Sequence, residues 1–347
     1  MSQTTSTPPA AVERDLAEEF LDRQTPLDRV RVLLHKYPAI SPAIVLVIAV
    51  IVFGLINPRF LLPGNLSLIT QQVAVVGTLA VAQTLIILTA GIDLSVGAAM
   101  ILTSMVVAQT TVHWGLPALV GLLIGLIAGL ATGALNGFLV TRLKLPPFIV
   151  TLGTLNIFVA VTLLATGGAT VRGMEMPDAL TATGTAFEVG GVRITVGVLI
   201  MLALYLVVAL ILGKTAWGRH VYAVGDDIEA ARLVGIRVDR VLLSVYTVAG
   251  LIYGLTAWVL IGRAGTASPN AIPAANLETI TAVVIGGTSL FGGRGGILGT
   301  MLGALIVYAF NIGLSLAGVD DQLRVLTIGV LIIVAVAVDQ WIRKVKA

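Results

Sequence analysis

Residues 60–92 read FLLPGNLSLITQQVAVVGTLAVAQTLIILTAGI, which makes 33 consecutive residues without a charged side chain. A helix needs about 20 mostly apolar residues to cross the hydrocarbon core of a bilayer, which is ~30 Å thick. A second uncharged stretch of 48 residues covers 94–141. Asp93 is the single charged residue that separates the two stretches. Runs of this length predict membrane-spanning helices.

The composition of the whole chain supports this prediction. Of its 347 residues, 57% are hydrophobic and 11% are charged, whereas roughly a quarter are charged in a typical soluble domain. These polar residues are too few to cover a water-soluble globule of this size. The chain has no cysteine and its three histidines lie far apart, so we expect no disulfide, no thiolate nucleophile and no metal site.

Hydropathy predicts an all-α polytopic membrane protein of about ten transmembrane helices. No pattern of short alternating strands indicates a barrel. Residues 1–36 carry six acidic and five basic side chains, and we expect them to form a mobile cytoplasmic tail before a transmembrane domain at 37–347. The ten predicted spans are residues 37–58, 67–90, 94–112, 117–140, 147–166, 194–213, 241–262, 277–291, 297–317 and 323–342.

The distribution of basic residues predicts how these spans are oriented. With the N-terminus in the cytoplasm, 16 of the 21 lysines and arginines fall on the cytoplasmic side. Cytoplasmic loops of membrane proteins are enriched in these residues. We therefore expect both termini and the polar loop at residues 214–240 to lie in the cytoplasm.

This loop is the longest polar stretch between spans, and it contains a predicted short helix. Asp226 or Asp227 can cap its N-terminus, and Glu229 then lies in the first turn, near the positive end of the helix dipole. Gly235 stands where a helix commonly ends in a left-handed residue. The pattern predicts a helix of about two turns along the membrane face.

Two small residues, Ala230 and Ala231, are expected on the exposed face of that helix. Small side chains would let another protein surface approach closely. An ordinary connector helix is the alternative, and capping and length alone do not decide between them.

The tripeptide Gly213-Lys214-Thr215 resembles the end of a phosphate-binding P-loop. That motif requires a further glycine five residues before the second one, where this chain has Val208. The preceding residues are also a predicted span, without the strand that a P-loop follows. We therefore expect no ATPase site and no catalytic residues in this chain.

Two glycine-containing segments interrupt the predicted spans. In the first, Gly91 and Gly97 flank Asp93 and Ser95. A carboxylate at the centre of a bilayer costs about 2.5–3.5 kcal/mol on insertion scales unless it is paired or solvated. Asp93 is therefore a candidate hinge or pathway residue. The alternative, that Asp93 or Ser95 caps the next helix near the cytoplasmic surface, stays open.

The second segment is richer in glycine and contains Gly286, Gly287, Gly292 and Gly293. Irregular backbone at membrane depth is tolerated only where protein or water covers it. The segment therefore predicts either a discontinuous helix that lines a pathway or a site of tight helix packing.

Three stretches together resemble the permease subunits of ribose-type ABC importers. They are TAGIDLSVG at residues 89–97, VGDDIEAARLVG at residues 224–235 and IGGTSLFGGRGG at residues 285–296. They occur in the same order as in that family, over residues 40–342.

The resemblance implies a multi-pass transport subunit in the inner membrane of a bacterium, importing a monosaccharide such as a ribose-, xylose- or galactose-like sugar, or a small polyol. It implies that the loop docks on a separate ABC ATP-binding subunit, which holds ATP and Mg²⁺. It also implies a second permease subunit, identical or different, and an extracytoplasmic sugar-binding protein. The resemblance implies contact with membrane lipid and no nucleic-acid partner. The implied coupling residues are Gly225, Asp226, Asp227, Glu229, Ala230, Ala231 and Gly235. The hinge or pathway candidates are Gly91, Asp93, Ser95, Gly97, Gly286, Gly287, Gly292 and Gly293.

Other functions are kept as alternatives. A nucleoside permease of the same class fits the same patterns. An ion-coupled secondary transporter usually needs ionisable groups at mid-membrane, and Asp93 is the one candidate for that role. An intramembrane enzyme is disfavoured because no Gly-x-Ser-x-Gly, His-Glu-x-x-His or paired intramembrane carboxylates are present.

Overall fold

The computed structural model describes residues 39–172 and 176–344, and for parts of the last helix it describes the backbone alone. The predicted tail at residues 1–36 lies outside them. The helices of the described residues are α1 (Ile40–Ile56), α2 (Pro63–Leu88), α3 (Val96–Ala108), α4 (Ala118–Arg142), α5 (Pro147–Thr166), α6 (Asp178–Thr181), α7 (Val196–Lys214), α8 (Ala216–Asp226), α9 (Ile228–Leu233), α10 (Val238–Ala264), α11 (Ala275–Ile285), α12 (Ile297–Leu316) and α13 (Asp321–Lys344).

Each predicted span corresponds to one of these helices. Seven helices within the described ranges are long and apolar enough to cross a membrane: α2, α3 with its π-helical extension Gln109–His113, α4, α5, α7, α10 and α12. Helices α1 and α11 are apolar but shorter, with 17 and 11 residues. The chain is thus an all-α polytopic membrane protein. That ten helices cross the membrane, with both termini in the cytoplasm, stays a prediction.

Helix α2 forms the centre of the bundle. Every residue from Val73 to Leu88 is buried. This half of α2 has no separate polar face, which is typical of a helix in a protein core or in a membrane. Helices α3, α7, α10, α11 and α12 all contact it.

Helices α4 and α10 pack with their backbones almost in contact. Gly129 and Gly133 of α4 meet Gly250 and Gly254 of α10, and a Cβ on Gly129 would lie 2.8 Å from the Gly254 amide nitrogen. Small residues permit such close approach between membrane helices. Gly129 and Gly133 of α4 therefore serve packing inside the bundle.

The segment between α5 and α7 contains a β-hairpin, which the sequence analysis did not predict. Strand β1 (Ala186–Val189) pairs antiparallel with β2 (Val192–Thr195). Gly190 and Gly191, which form the turn, have φ angles of +59° and +81°. A two-residue turn with two positive φ angles strongly favours Gly-Gly, so a local signal for this hairpin was present.

Candidate functional site

The polar loop at residues 214–240 contains two helices rather than one. Helix α8 begins after Thr215, whose hydroxyl accepts a hydrogen bond from the Gly218 amide. Asp227 then caps α9: its Oδ1 accepts the amides of Glu229 and Ala230 at 2.9 and 3.0 Å. Of the two predicted caps, Asp227 is therefore confirmed. Asp226 is the last residue of α8 instead.

Gly235 ends this short helix as predicted. Its φ angle is +86°, in the left-handed region that only glycine adopts at low cost. The Gly235 amide donates to the Arg232 carbonyl and the Ile236 amide donates to the Ala231 carbonyl, both at 3.0 Å. These two bonds satisfy carbonyl groups that the helix end would otherwise leave free.

The two alanines of α9 do not share one face. Ala230 is exposed, as predicted, but Ala231 is 3% exposed and packs into the protein. Successive helical residues point about 100° apart, and here Ala231 falls on the side of α9 that faces the protein. The outer side is instead completed by Leu233 and Val234, which are 88% and 77% exposed. We call Ala230, Leu233 and Val234 the loop surface.

The first break lies between the end of α2 and the start of α3, and it is organised around the fully buried carboxylate of Asp93. Its Oδ1 accepts the amide and the hydroxyl of Ser95, both at 2.6 Å. Its Oδ2 accepts the hydroxyl of Tyr253 on α10 at 2.8 Å, with the amide nitrogen of Asn136 on α4 at 3.4 Å. Hydrogen-bond donors thus compensate the buried charge and tie the break to the α4–α10 pair.

Neither Asp93 nor Ser95 caps α3 with its side chain, so that alternative was wrong. The Ser95 hydroxyl is already used as a donor to Asp93, and no side chain of the break accepts from the first turn of α3. The side chain of Asn276, at the start of α11, accepts the Gly97 amide at 2.7 Å. A side chain on Gly97 would collide with this asparagine, so the glycine allows two helix N-termini to meet.

The second break covers residues 286–296 and separates α11 from α12. Gly287, Gly292 and Gly293 have φ angles of +82°, +83° and +68°. Gly286 packs against the backbone of Gly299 on α12, with no room for a Cβ on either residue. The segment is therefore both a discontinuity and a close-packing site, and that it lines a pathway stays a prediction.

The two breaks and the polar loop at residues 214–240 meet at one point. The Gly293 amide donates to the carbonyl oxygen of Leu88 at 3.0 Å. Gly225 of α8 packs so closely against the same carbonyl that a Cβ would overlap it. A Cβ on Gly292 would lie 2.8 Å from the Ala90 nitrogen and 2.6 Å from the Gly225 carbonyl. We call these five residues, Leu88, Ala90, Gly225, Gly292 and Gly293, the glycine junction.

A side-chain contact reinforces the junction. The hydroxyl of Tyr222 on α8 donates to the carbonyl of Gly295 in the second break at 3.0 Å. Burial raises the pKa of the Tyr222 phenol, which keeps it protonated as a donor. A mostly apolar cleft of about 340 Å³ borders this contact, lined in part by Tyr222 and Gly286.

Several residues of the site carry no sequence signal for their part in it. Their contacts join elements that are far apart along the chain, whereas hydropathy and capping patterns report on near neighbours. The residues missed in this way are Leu88, Ala90, Tyr222, Tyr253 and Asn276. Gly91, which the sequence analysis did identify, packs beside the hydroxyl of Tyr246.

Comparison with known proteins identifies the class to which this fold and site belong. The chain belongs to the family described as "Branched-chain amino acid transport system / permease component", whose model matches residues 65–336. Members of this family are permease components, the transport subunits of their systems.

The more similar relatives are sugar permeases. The chain is 48% identical over 357 residues to a fructose import permease protein of Rhizobium meliloti, covering 100% of this chain and 99% of that protein. It is 38% identical over 301 residues to a ribose import permease protein of Bacillus subtilis, covering 87% and 92%. It is 30% identical over 336 residues to a xylose transport system permease protein of Haemophilus influenzae, covering 81% and 90%. No solved structure matches the chain.

Proposed function

We propose that this chain is the membrane-spanning subunit of an ATP-driven importer of a monosaccharide. The glycine junction carries the proposal: it joins the cytoplasmic loop directly to both interrupted spans. A partner that moves the loop would therefore move the ends of α2, α3, α11 and α12 at once. Chains of packed contacts between elements that have two arrangements can carry coupling between distant sites.

The loop surface is the proposed docking site for the ATP-binding subunit. Ala230, Leu233 and Val234 expose apolar side chains on a polar loop. The buried core of a protein interface is depleted in charge, which suits such a patch. Asp227 and Gly235 fix both ends of the short helix that carries it. The proposed mechanism is that closure of the ATP-binding subunits pulls on this surface and shifts the balance between inward-open and outward-open states.

Contacts between main chains make the junction a stiff link. Gly225, Gly292 and Gly293 place backbone against backbone, with no flexible side chain between them. The buried network around Asp93 then fixes the first break to α4 and α10. A displacement of α8 would therefore be passed on rather than absorbed locally.

The remaining parts of the proposal rest on the relatives. Their names, which include fructose, ribose and xylose, favour a monosaccharide as the substrate, and D-fructose is the first to test. We infer two permease subunits, two ATP-binding subunits that hold ATP and Mg²⁺, and an external sugar-binding protein, in the inner membrane of a bacterium. Both termini and the loop would then face the cytoplasm.

The alternatives have less support. None of the relatives above is named for a nucleoside. Ion coupling through Asp93 is disfavoured because its carboxylate already accepts hydrogen bonds from Ser95, Tyr253 and Asn136.

Reconstitution tests the proposed function. The chain, purified alone, should show no ATP hydrolysis above background. When it is assembled in proteoliposomes with its ATP-binding subunit and sugar-binding protein, it should take up D-fructose or D-ribose only with ATP present. Uptake by the chain alone under a proton or sodium gradient would refute the proposal, as would ATP hydrolysis by a contaminant-free preparation of the chain.

A further inference from the structure

Helix α11 is too short to cross a membrane. Its 11 residues rise about 16 Å, roughly half of the ~30 Å hydrocarbon core. Its N-terminus lies inside the bundle, because Asn276 there caps α3 through Gly97. The non-helical residues 265–274 lead to it, and Pro273 and Ala274 among them are exposed. Where such irregular backbone lies at membrane depth, it needs water or protein beside it.

Three polar side chains meet beside this segment. Glu278, in the first turn of α11, accepts the hydroxyl of Tyr308 on α12 through its Oε2 at 2.6 Å. Arg263, near the end of α10, interacts electrostatically with both. Tyr308 is 5% exposed, whereas Glu278 and Arg263 are only half-buried. Tyr308 therefore holds the carboxylate from the protein side and leaves part of it accessible.

No local sequence pattern indicates this cluster. Glu278 lies at the edge of the predicted eighth span, and Arg263 lies just beyond the seventh. In the sequence, each position is typical of a charged residue at the membrane interface. Ionisable residues at membrane depth are costly and mark solute pathways or paired structural charges. Complete burial of such a pair carries a desolvation penalty that can exceed the attraction between the charges, so contact with water lowers its cost. The half-exposed position of Glu278 and Arg263 favours the pathway.

We propose that Glu278 is a contact for sugar hydroxyls in the translocation pathway, positioned by Tyr308 and charge-balanced by Arg263; this rests on the proposed sugar import. A carboxylate offers about four acceptor sites, of which Tyr308 uses one, and a guanidinium offers donors only. Adjacent hydroxyls of a monosaccharide both donate and accept, so the pair Glu278 and Arg263 matches them. Because the two charges offset each other, the site suits a neutral, polar solute.

The experiment uses the complete importer in proteoliposomes, with binding protein saturated with D-fructose. The variants are Glu278→Gln, which keeps the shape, and Tyr308→Phe, which removes the hydroxyl that holds the carboxylate. Glu188→Gln is the matched control, because Glu188 is an exposed acid on β1. We expect uptake to fall about tenfold in Glu278→Gln and about threefold in Tyr308→Phe, the range for the loss of one ordinary hydrogen bond. Glu188→Gln, ATP hydrolysis and the yield of assembled complex should stay within about twofold of the unmodified importer.

A second readout separates contact from a structural role. Uptake is measured for fructose analogues that each lack one hydroxyl. If Glu278 contacts one hydroxyl directly, the unmodified importer should transport the analogue that lacks this hydroxyl poorly. Glu278→Gln should not reduce uptake of that analogue further, because the same interaction is already absent. An equal loss for every analogue would overturn the inference, as would unchanged D-fructose uptake or a loss of assembled complex in Glu278→Gln. No uptake of any sugar by the unmodified importer would overturn the proposed function, and this inference with it.

Discussion

The amide of Gly293 donates a hydrogen bond to the carbonyl oxygen of Leu88, with a distance of 3.0 Å between nitrogen and oxygen. This bond joins the second break to the end of the central helix α2. Gly225 packs against the same carbonyl, so the cytoplasmic loop belongs to the same contact. The connection between loop and spans therefore depends on glycines at defined positions, and substitutions there should separate coupling from folding.

The buried network around Asp93 can be tested with two tyrosines of α10. Tyr253→Phe removes a hydroxyl that donates to the Asp93 carboxylate at 2.8 Å. We expect it to lower the free energy of unfolding by about 1.5–3 kcal/mol, the usual range for a hydrogen bond to a charged group. The measurement is the thermal unfolding midpoint of the purified chain in detergent.

Tyr246→Phe is the matched control for that prediction. The hydroxyl of Tyr246 is buried and has no hydrogen-bond partner among the described residues. Removing an unsatisfied buried hydroxyl should be neutral or slightly stabilising. Equal destabilisation by the two variants would show that Asp93 does not depend on Tyr253.

Gly235 should tolerate some side chains better than others. Its φ angle of +86° is strained for a β-branched residue, although a Cβ added there would have no neighbouring atom within 4 Å. Gly235→Val should therefore reduce sugar uptake, whereas Gly235→Asn should retain most of it because asparagine tolerates left-handed backbone. Uptake is compared at equal amounts of chain in the membrane. If both variants transport equally, the left-handed turn is not needed for coupling.

The predicted orientation can be read by labelling single cysteines, since the chain has none of its own. Glu188→Cys and Asn270→Cys, at exposed positions, should react in intact cells with an impermeant maleimide. Leu233→Cys, at a position 88% exposed on the loop, should react only after the membrane is opened. Reaction of Leu233→Cys in intact cells would reverse the assigned orientation.

Much of this architecture is predictable from the sequence because its signals are local. Uncharged runs locate the helices, and clustered glycines locate both breaks, since each reflects the chain's immediate neighbourhood. The cap by Asp227 and the turn at Gly235 follow from the same local chemistry. The junction itself is different: Leu88, Gly225 and Gly293 are brought together by the packing of distant helices. The burial of Ala231 likewise depends on what lies beneath α9, which no local pattern reports.

The loop surface makes a prediction that distinguishes two neighbouring alanines. Ala230 is exposed, so Ala230→Arg should leave folding and membrane insertion intact. It should weaken binding of the ATP-binding subunit by well over about 1 kcal/mol, because an unpaired charge would be buried in the interface. Co-purification of the two subunits measures this. Ala231→Arg, at a site 3% exposed, should instead reduce the amount of folded chain.

A loop that served only as a connector would give different results for these two variants. Normal uptake and normal co-purification of Ala230→Arg would show that the ATP-binding subunit does not contact this surface. A folded, fully recovered Ala231→Arg would contradict the packing of α9.

The central claim is that the glycine junction transmits movement of the loop to the spans, and Gly225→Ala tests it most directly. The added methyl group would overlap the Leu88 carbonyl and approach the Gly293 amide. Gly213→Ala is the control, since nothing lies within 4 Å of a Cβ at that position. The measurement is the number of sugar molecules taken up per ATP hydrolysed by the reconstituted importer. We predict a ratio reduced about tenfold or more in Gly225→Ala, with hydrolysis and assembly retained, and an unchanged ratio in Gly213→Ala. An unchanged ratio in Gly225→Ala would contradict the account.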